Sequence, residues 1–384
     1  MRDDLGIMRL NWILFAVGLA CLDGRAWVMA DQELATAIQV LRGVGPEGRG
    51  NQEAAAAWKS LVARDQGALI PILQGMDGAN DLASNWLRGA ADALASRALE
   101  KRIPLPLAGL GEFLLETSHS PKGRRLAYEL LNRFDPPAAQ LILPGLLHDP
   151  APELRRDAIQ RLMNEAAVAK EVGRKEVAMV VLRQALGAAR DPDQLDALSK
   201  SIREFGGNVD LPGLFGFLLD WRIAGPFDST KGVGFEAVYP PEKGVDWSAE
   251  YDGKNGKVVW KPFKSQHEFG IVDVNKVCGL LKEAAAYAYT EFVSDRARPV
   301  ELRLGCKNAW KIWVNGKYLF GRDEYHRGME IDQYRMTTEL QAGTNRILVK
   351  LCQNDQKEDW TVEWEFQLRI CDPNGAPVRS VSKQ

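Results

Sequence analysis

From Trp360 to Ile370 the chain reads Trp-Thr-Val-Glu-Trp-Glu-Phe-Gln-Leu-Arg-Ile. Trp360, Val362, Trp364, Phe366, Leu368 and Ile370 are apolar, and every residue between them is polar. A helix repeats its faces about every 3.6 residues, so a period of two held this long demands a strand with one face in a core and the other in water. Upstream, Trp310-Lys-Ile-Trp-Val-Asn-Gly-Lys317 alternates into an Asn315-Gly316 pair. Asn-Gly tolerates the left-handed angles of a type I′ turn, so this stretch is the rim of a β-hairpin. Leu340–Leu351 supplies a turn and a further strand. On this reading Trp313, Trp360 and Trp364 belong to the core, while Asn315 and Gly316 form a turn and bind nothing.

More short strands precede these. Ala286–Val293 and Val300–Leu304 read as consecutive strands, Tyr251–Trp260 as a turn and strand, and Gly234–Glu242 as an extended region fixed by Pro240-Pro241. Many short strands with turn signals between them argue for an antiparallel β-sandwich over residues 216–376, with 377–384 as a flexible tail. Residues 31–215 are different. Alanine and leucine dominate, and strand-like alternation is absent. Arg88, Arg125 and Arg156 recur at the spacing of helical-hairpin repeats, each near the start of a helix that also carries alanine. Leu211-Pro-Gly213 breaks the helical pattern. Hairpins of this kind cannot bury their apolar faces alone and must stack. The stack either offers a concave surface to a protein or only positions the β region.

Two resemblances follow from these residues. His148-Asp-Pro-Ala-Pro-Glu-Leu-Arg-Arg-Asp-Ala158 resembles a HEAT repeat, in which Asp-Pro ends one helix and starts the next. The series Trp221–Phe227, Glu301-Leu-Arg-Leu-Gly305, Lys311–Lys317, Asp332-Gln333 and Gly343-Thr-Asn-Arg-Ile-Leu-Val-Lys350 resembles the galactose-binding-like jelly roll. That module accompanies glycoside hydrolases such as the family 2 enzymes and recurs in secreted proteins of planctomycete-type bacteria. The resemblances imply an N-terminal α-solenoid of HEAT-like hairpins and a C-terminal jelly roll. Related modules often carry an acidic, glycine-containing turn before the hairpin; Gly305-Cys-Lys-Asn-Ala309 stands there instead, against a metal or sugar contact at that turn.

The amino terminus adds an expectation about location. Arg9 precedes the apolar run Leu10–Leu22, and Val28-Met-Ala30 suits signal peptidase. Residues 1–30 therefore read as a signal peptide, with translation from Met8 explaining the acidic Asp3-Asp4. The run is too short for a comfortable membrane span. Export to a periplasmic or extracellular space leaves Cys278, Cys306, Cys352 and Cys371, which either pair as disulfides or sit as buried free thiols.

A net charge of −2 gives no global preference for nucleic acid. The sequence holds no Gly-x-Ser-x-Gly turn, no His-Glu-x-x-His and no phosphate loop, and no two of its four histidines have ligand spacing. Gly43–Gly48 has a formal Gly-x-Gly-x-x-Gly, but after a helix, where it reads as an interhelical loop. No cofactor or metal is expected. The one site candidate is Gly321–Asp332, which reads as a loop rich in donors, acceptors and aromatics. Arg322, Asp323, Tyr325 and His326 could hydrogen-bond sugar hydroxyls, with Tyr325 or Trp310 stacking on a ring. The competing account is a solvated loop packed against the helical half. The expected role is a non-catalytic adaptor contacting a glycan or an envelope protein. Its rivals are an assembly factor that only docks protein and an accessory part of a glycoside hydrolase system.

Overall fold

The computed structural model describes residues 31–381; the expected signal peptide, 1–30, lies outside the described residues, as do 382–384. Helices occupy the N-terminal part and antiparallel sheets the C-terminal part, the change falling between Phe215 and Asp220. Compactness divides the chain earlier, into units Met1–Ala158 and Ile159–Gln384.

The first unit contains α1 (31–42), α2 (Asn51–Val62), α3 (Leu69–Gln74), α4 (Asp81–Lys101), α5 (Leu107–Leu115), α6 (Pro121–Phe134), α7 (Pro136–Ile142) and the start of α8 (Pro152–Glu171). Side-chain caps set the starts. Asn80 accepts from the Ala83 amide at 2.9 Å and Ser120 from Gly123 at 3.0 Å, each satisfying a donor that has no partner inside its helix. Leu87, Ala90, Ala91, Leu94 and Ala98 form the buried stripe of α4, and Leu126, Ala127, Leu130 and Leu131 that of α6. Small alanines allow these helices close approach. Glu129 receives both Arg88 and Arg125, and Arg125 also pairs with Asp157, so ion pairs join α4, α6 and α8. Arg124 is buried and grips Asp149 through two nitrogens, at 2.9 and 2.5 Å.

The second unit holds the rest of α8, then α9 (Lys175–Ala188), α10 (Pro192–Glu204) and α11 (Leu211–Phe215). Leu211-Pro-Gly213 thus starts a short helix, because a proline in the first turn lacks only an amide that would have no partner inside the helix. The strands are β1 (Asp220–Asp228), β2 (Tyr251–Gly253), β3 (Gly256–Val258), β4 (Lys261–Lys264), β5 (Val272–Asp273), β6 (Ala284–Ser294), β7 (Arg298–Cys306), β8 (Ala309–Val314), β9 (Lys317–Arg322), β10 (Tyr334–Leu340), β11 (Gly343–Gln353) and β12 (Glu365–Cys371). They form a six-stranded sheet ordered β4-β1-β6-β11-β8-β9, a four-stranded sheet ordered β10-β7-β12-β5 and the β2–β3 hairpin. Neither large sheet closes on itself. Asn315 and Gly316 have φ of 52° and 79°, as the type I′ turn between β8 and β9 requires.

One face of each large sheet feeds the same core. Ile223, Ala286, Ile312 and Val349 come from the six-stranded sheet, Leu302, Leu304, Phe366 and Leu368 from the four-stranded one, and Trp310 and Trp364 are fully buried among them. The outer face of the six-stranded sheet carries a second cluster. Phe227, Tyr287 and Leu348 pack there under Phe235, Tyr251 and Trp260 from the segment that follows β1. Within that segment Pro240–Lys243 (α12) is a helical turn, not the extended region expected from its paired prolines.

The alternation at the C terminus departs from its simplest reading. β12 begins only at Glu365, and Trp360 lies before it in a short 3-10 turn, 62% exposed. Gln367 and Arg369, the polar residues of the alternation, are buried. Arg369 can be buried because Asp332 meets it: Nε donates to Oδ1 at 2.6 Å, and Nη2 donates to Oδ2. Arg303 donates to the same Oδ2 at 2.8 Å and is held from its other side by Glu301 at 2.7 Å. Residues 377–381 are not a free tail. Val378 is buried in the core, its amide bonded to the Ile370 carbonyl, and the Val381 amide reaches Val293.

Cys278, Cys306, Cys352 and Cys371 are free thiols. Burial pushes the first three up to about 12 and raises Cys371 as well. A thiol reacts as its thiolate. At pH 8 these four should therefore resist an alkylating reagent in the native protein and all label in denaturant, as counted by mass spectrometry. Rapid native labelling of Cys306 or Cys352 would contradict their placement.

Candidate ligand-binding face

The outer face of the six-stranded sheet is covered on one side only. Register shows how it is built. Pro262, Arg222, Tyr289, Leu348, Trp313 and Tyr318 are successive cross-strand partners, one from each strand from β4 to β9. Directly opposed residues point to the same side of a sheet, so these six form a single row across it. Beside the row, Lys264 pairs with Asp220 and Glu291 is the partner of Arg346, which is the next charged line on that face.

Three depressions follow the row. The first, about 640 Å³, lies over β8 and β9 and is lined by Trp313, Tyr318, Arg322 and Asp323 together with Phe235 and Glu242. The second, about 640 Å³, lies over β6, β11 and β8 between Trp247, Tyr289, Trp313 and Arg346. The third, about 810 Å³, lies over β4, β1 and β6 and takes in Arg222, Trp247, Lys264 and Glu291. Trp313 and Glu242 line both of the first two; Trp247, Tyr289 and Glu291 line both of the last two. The depressions are thus neighbours along the sheet and share walls.

Trp247 stands between two of them and is 46% exposed. Its indole meets Trp260 and Tyr289 at 5.5 and 5.0 Å, both near perpendicular, and the Arg222 guanidinium lies 4.9 Å from the ring. At the other end Tyr318 is 51% exposed and packs edge-on against the half-buried Trp313 at 5.7 Å. Partly exposed aromatics fixed by neighbouring rings are ready to stack without further ordering.

The wall beside the row is the segment 235–247, and Lys350 of β11 holds it down. This lysine is fully buried. Its Nζ donates to the carbonyls of Phe235 and Ala237, at 3.2 and 2.5 Å, and to Glu242 Oε1 at 2.9 Å. The Tyr287 hydroxyl donates to the same oxygen. Burial, with that hydrogen bond second, pushes the Tyr287 phenol far up. Burial likewise raises Tyr239 and Tyr289 to about 12, Glu291 adding to it at Tyr289. Lys311 bonds Glu236 at 2.8 Å, which holds that carboxyl below the usual range.

The residues singled out in the sequence separate here. Arg322 and Asp323 line the first depression. Tyr325 packs against the outer cluster, its phenol raised by burial first and by a hydrogen bond to Asp323. His326 turns elsewhere, with Nε2 at 2.7 Å from Asn354 Oδ1 and its ring 5.4 Å from exposed Trp360. Trp310 is fully buried on the core face between Phe320 and Tyr334, so it offers no platform to a ligand. The Gly305–Ala309 segment finishes β7 and begins β8, with Cys306, Asn308 and Ala309 buried. Trp247 and Tyr318 carried no signal that distinguished them, and Trp313 read as core.

No family model matches the chain, and no curated protein matches it. Among solved structures, a β-glucosidase from Kluyveromyces marxianus is similar over 43% of this chain and 17% of its own, at 8% identity and a TM-score of 0.25. Its complex with glucose is similar over 76% and 36%, at 10% identity and a TM-score of 0.27. A β-glycosidase from Bacteroides vulgatus is similar over 41% and 20%, at 15% identity and a TM-score of 0.22. The chain spans only 17% to 36% of the length of these enzymes, and similarity at this level carries no activity across.

Proposed function

We propose that this is an exported, non-catalytic glycan-binding protein, in which a galactose-binding-like jelly roll holds carbohydrate on the outer face of its six-stranded sheet and HEAT-like helices serve as scaffold. The observation that carries the reading is the set of partly exposed aromatics on this face, Trp247, Trp313 and Tyr318, with charged side chains beside them. Sugar rings present apolar C–H faces to aromatics and hydroxyls to polar groups, and this combination suits both. The carboxylates of the first depression favour binding over hydrolysis. Glu242 is held by Lys350, Glu236 by Lys311, Glu324 by the Tyr334 hydroxyl and Asp323 by Tyr325. Glycoside hydrolysis needs two carboxyl groups free to face a sugar from both sides, one of them carrying a proton.

A protein-docking role is the second reading. Val168, Val172, Val177 and Val180 favour it, since they expose apolar surface on either side of the turn between α8 and α9.

Affinity electrophoresis through a panel of soluble polysaccharides separates the two. The full chain should be retarded by at least one polymer. Trp247→Ala with Tyr318→Ala should abolish the retardation while moving the melting temperature little, since both side chains are partly exposed. Unimpeded migration through every polymer would sink the carbohydrate reading and leave docking ahead.

A further inference from the structure

The two large sheets have four outer edges, and three of them are blunted. β4 carries Pro262, β5 is two residues long, and β9 is bulged at Leu319, which has no partner on β8. Proline, short length and bulges are devices by which edge strands avoid pairing with other chains. β10 has none of them: it is seven residues long, holds no proline or glycine and keeps an unbroken register with β7. We infer that β10 is a self-pairing edge, through which two copies of this chain join antiparallel about a two-fold axis at Thr337. Such pairing is independent of carbohydrate binding.

Hydrogen bonds on the far side of the sheet fix which groups of β10 are unused. The Leu218 amide donates to the Leu368 carbonyl at 2.9 Å, and the Val378 amide to the Ile370 carbonyl at 2.8 Å. Leu368 and Ile370 of β12 therefore turn their backbone away from β7, and Arg369 between them bonds it through its partner Arg303. Leu302 and Leu304 then bond Met336 and Tyr334 on β10. Arg335, Thr337 and Glu339 are left with N–H and C=O pointing out of the sheet. Pro299, opposite Glu339, agrees, because it has no amide to give. All three side chains are exposed. Among the described residues, no hydrogen bond or ion pair joins any of the three to the chain outside the β7–β10 ladder.

An antiparallel copy centred on Thr337 sets Thr337 against Thr337 and Arg335 against Glu339. Every residue with outward groups then faces another, and each position becomes a pair that exchanges both hydrogen bonds. Arg335, Thr337 and Glu339 share the exposed face, so an opposite-charge pair forms on either side of the axis. Sliding the copies by two residues sets Thr337 against one charge and leaves the other unmatched. Charges that ordinarily discourage edge pairing thus select one register. Two-fold pairing also uses the edge up, so it closes as a dimer.

Sedimentation equilibrium of the full chain tests this, with circular dichroism to check that each variant is folded. The wild type should show a monomer–dimer equilibrium. Arg335→Glu and Glu339→Arg each set like charges against each other on both sides of the axis, and each should weaken the dimer about tenfold or more. An equimolar mixture of the two should associate again, as should the chain carrying both changes, since either restores opposite charges. Thr337→Pro removes an outward amide and none that bonds β7, so it should give monomer. Hydrogen exchange on the wild type gives a readout that needs no variant: the Arg335, Thr337 and Glu339 amides should slow as concentration rises through the dimer range. A wild type that stays monomeric, a dimer that both charge reversals leave intact, or exchange at those amides that ignores concentration would each overturn the pairing.

Discussion

Asp332→Ala is expected to cost about 3–5 kcal/mol, the range for breaking a buried ion pair from one side. The aspartate is the shared anion of two arginines on adjacent strands, Arg303 of β7 and Arg369 of β12. Arg369 is fully buried, and its guanidinium also meets the Phe215 carbonyl at 3.3 Å and the Phe215 ring. Without Asp332 that guanidinium keeps its burial and loses its counter-charge. Asp332 also has φ of 63°, which asparagine tolerates better than alanine, so Asp332→Asn isolates the charge from the backbone. The pH dependence has a definite sign. Burial alone would raise the Asp332 pKa, but hydrogen bonds and charge from Arg369 and then Arg303 outweigh it and hold the carboxyl below its ordinary 3.8. A depressed folded value means stability that is complete above the unfolded value and is lost as pH falls through the folded one. Urea midpoints measured between about pH 5 and pH 2 should fall steeply for the wild type and less steeply for Asp332→Asn. Parallel slopes would show that Asp332 does not carry the charge assigned to it.

Trp364→Ala should cost about 3–5 kcal/mol, as for other fully buried large aromatics. Trp360→Ala should stay within about 0.5 kcal/mol. Trp364 is sealed between the two large sheets, whereas Trp360 lies exposed in the turn before β12 with the edge of His326 against it. Denaturant unfolding followed by circular dichroism would decide it. Equal losses at the two positions would mean that the strand extends upstream to Trp360 with the half-wet alternation of the sequence.

That pair also marks the limit of periodicity. The β8–β9 hairpin was legible because Asn315-Gly316 encodes its own geometry within two residues. Trp364, Phe366, Leu368 and Ile370 were legible as core for the same local reason. Gln367, Arg369 and Lys350 were not. Nothing near them in sequence announces the groups that permit their burial: Asp332 for Arg369, and Glu242 with two carbonyls for Lys350. Polar residues on a strand signal water only when no distant partner meets them. The candidate face was hidden in the same way. Its row is a sum of pairings between strands, the widest joining Arg222 to Tyr289, and Trp247 belongs to no periodic stretch at all. The Gly321–Asp332 loop was found but divided. Its beginning lines a depression, and its last residue anchors an ion cluster on the other sheet.

The seating of residues 235–247 on Lys350 has a consequence for how such a chain could diversify. The row is written into strand register, where a one-residue slip would turn every side chain to the opposite face. The wall is written into a surface segment whose ends are fixed by β1 and by the β2–β3 hairpin, and surface segments accept insertions and exchanges that strands do not. Floor and wall can therefore be edited separately. A library that varies Gly244–Ser248 and keeps Glu242 and Lys350 would leave the ladder untouched while reshaping the second depression, a route to new selectivity on an unchanged foundation.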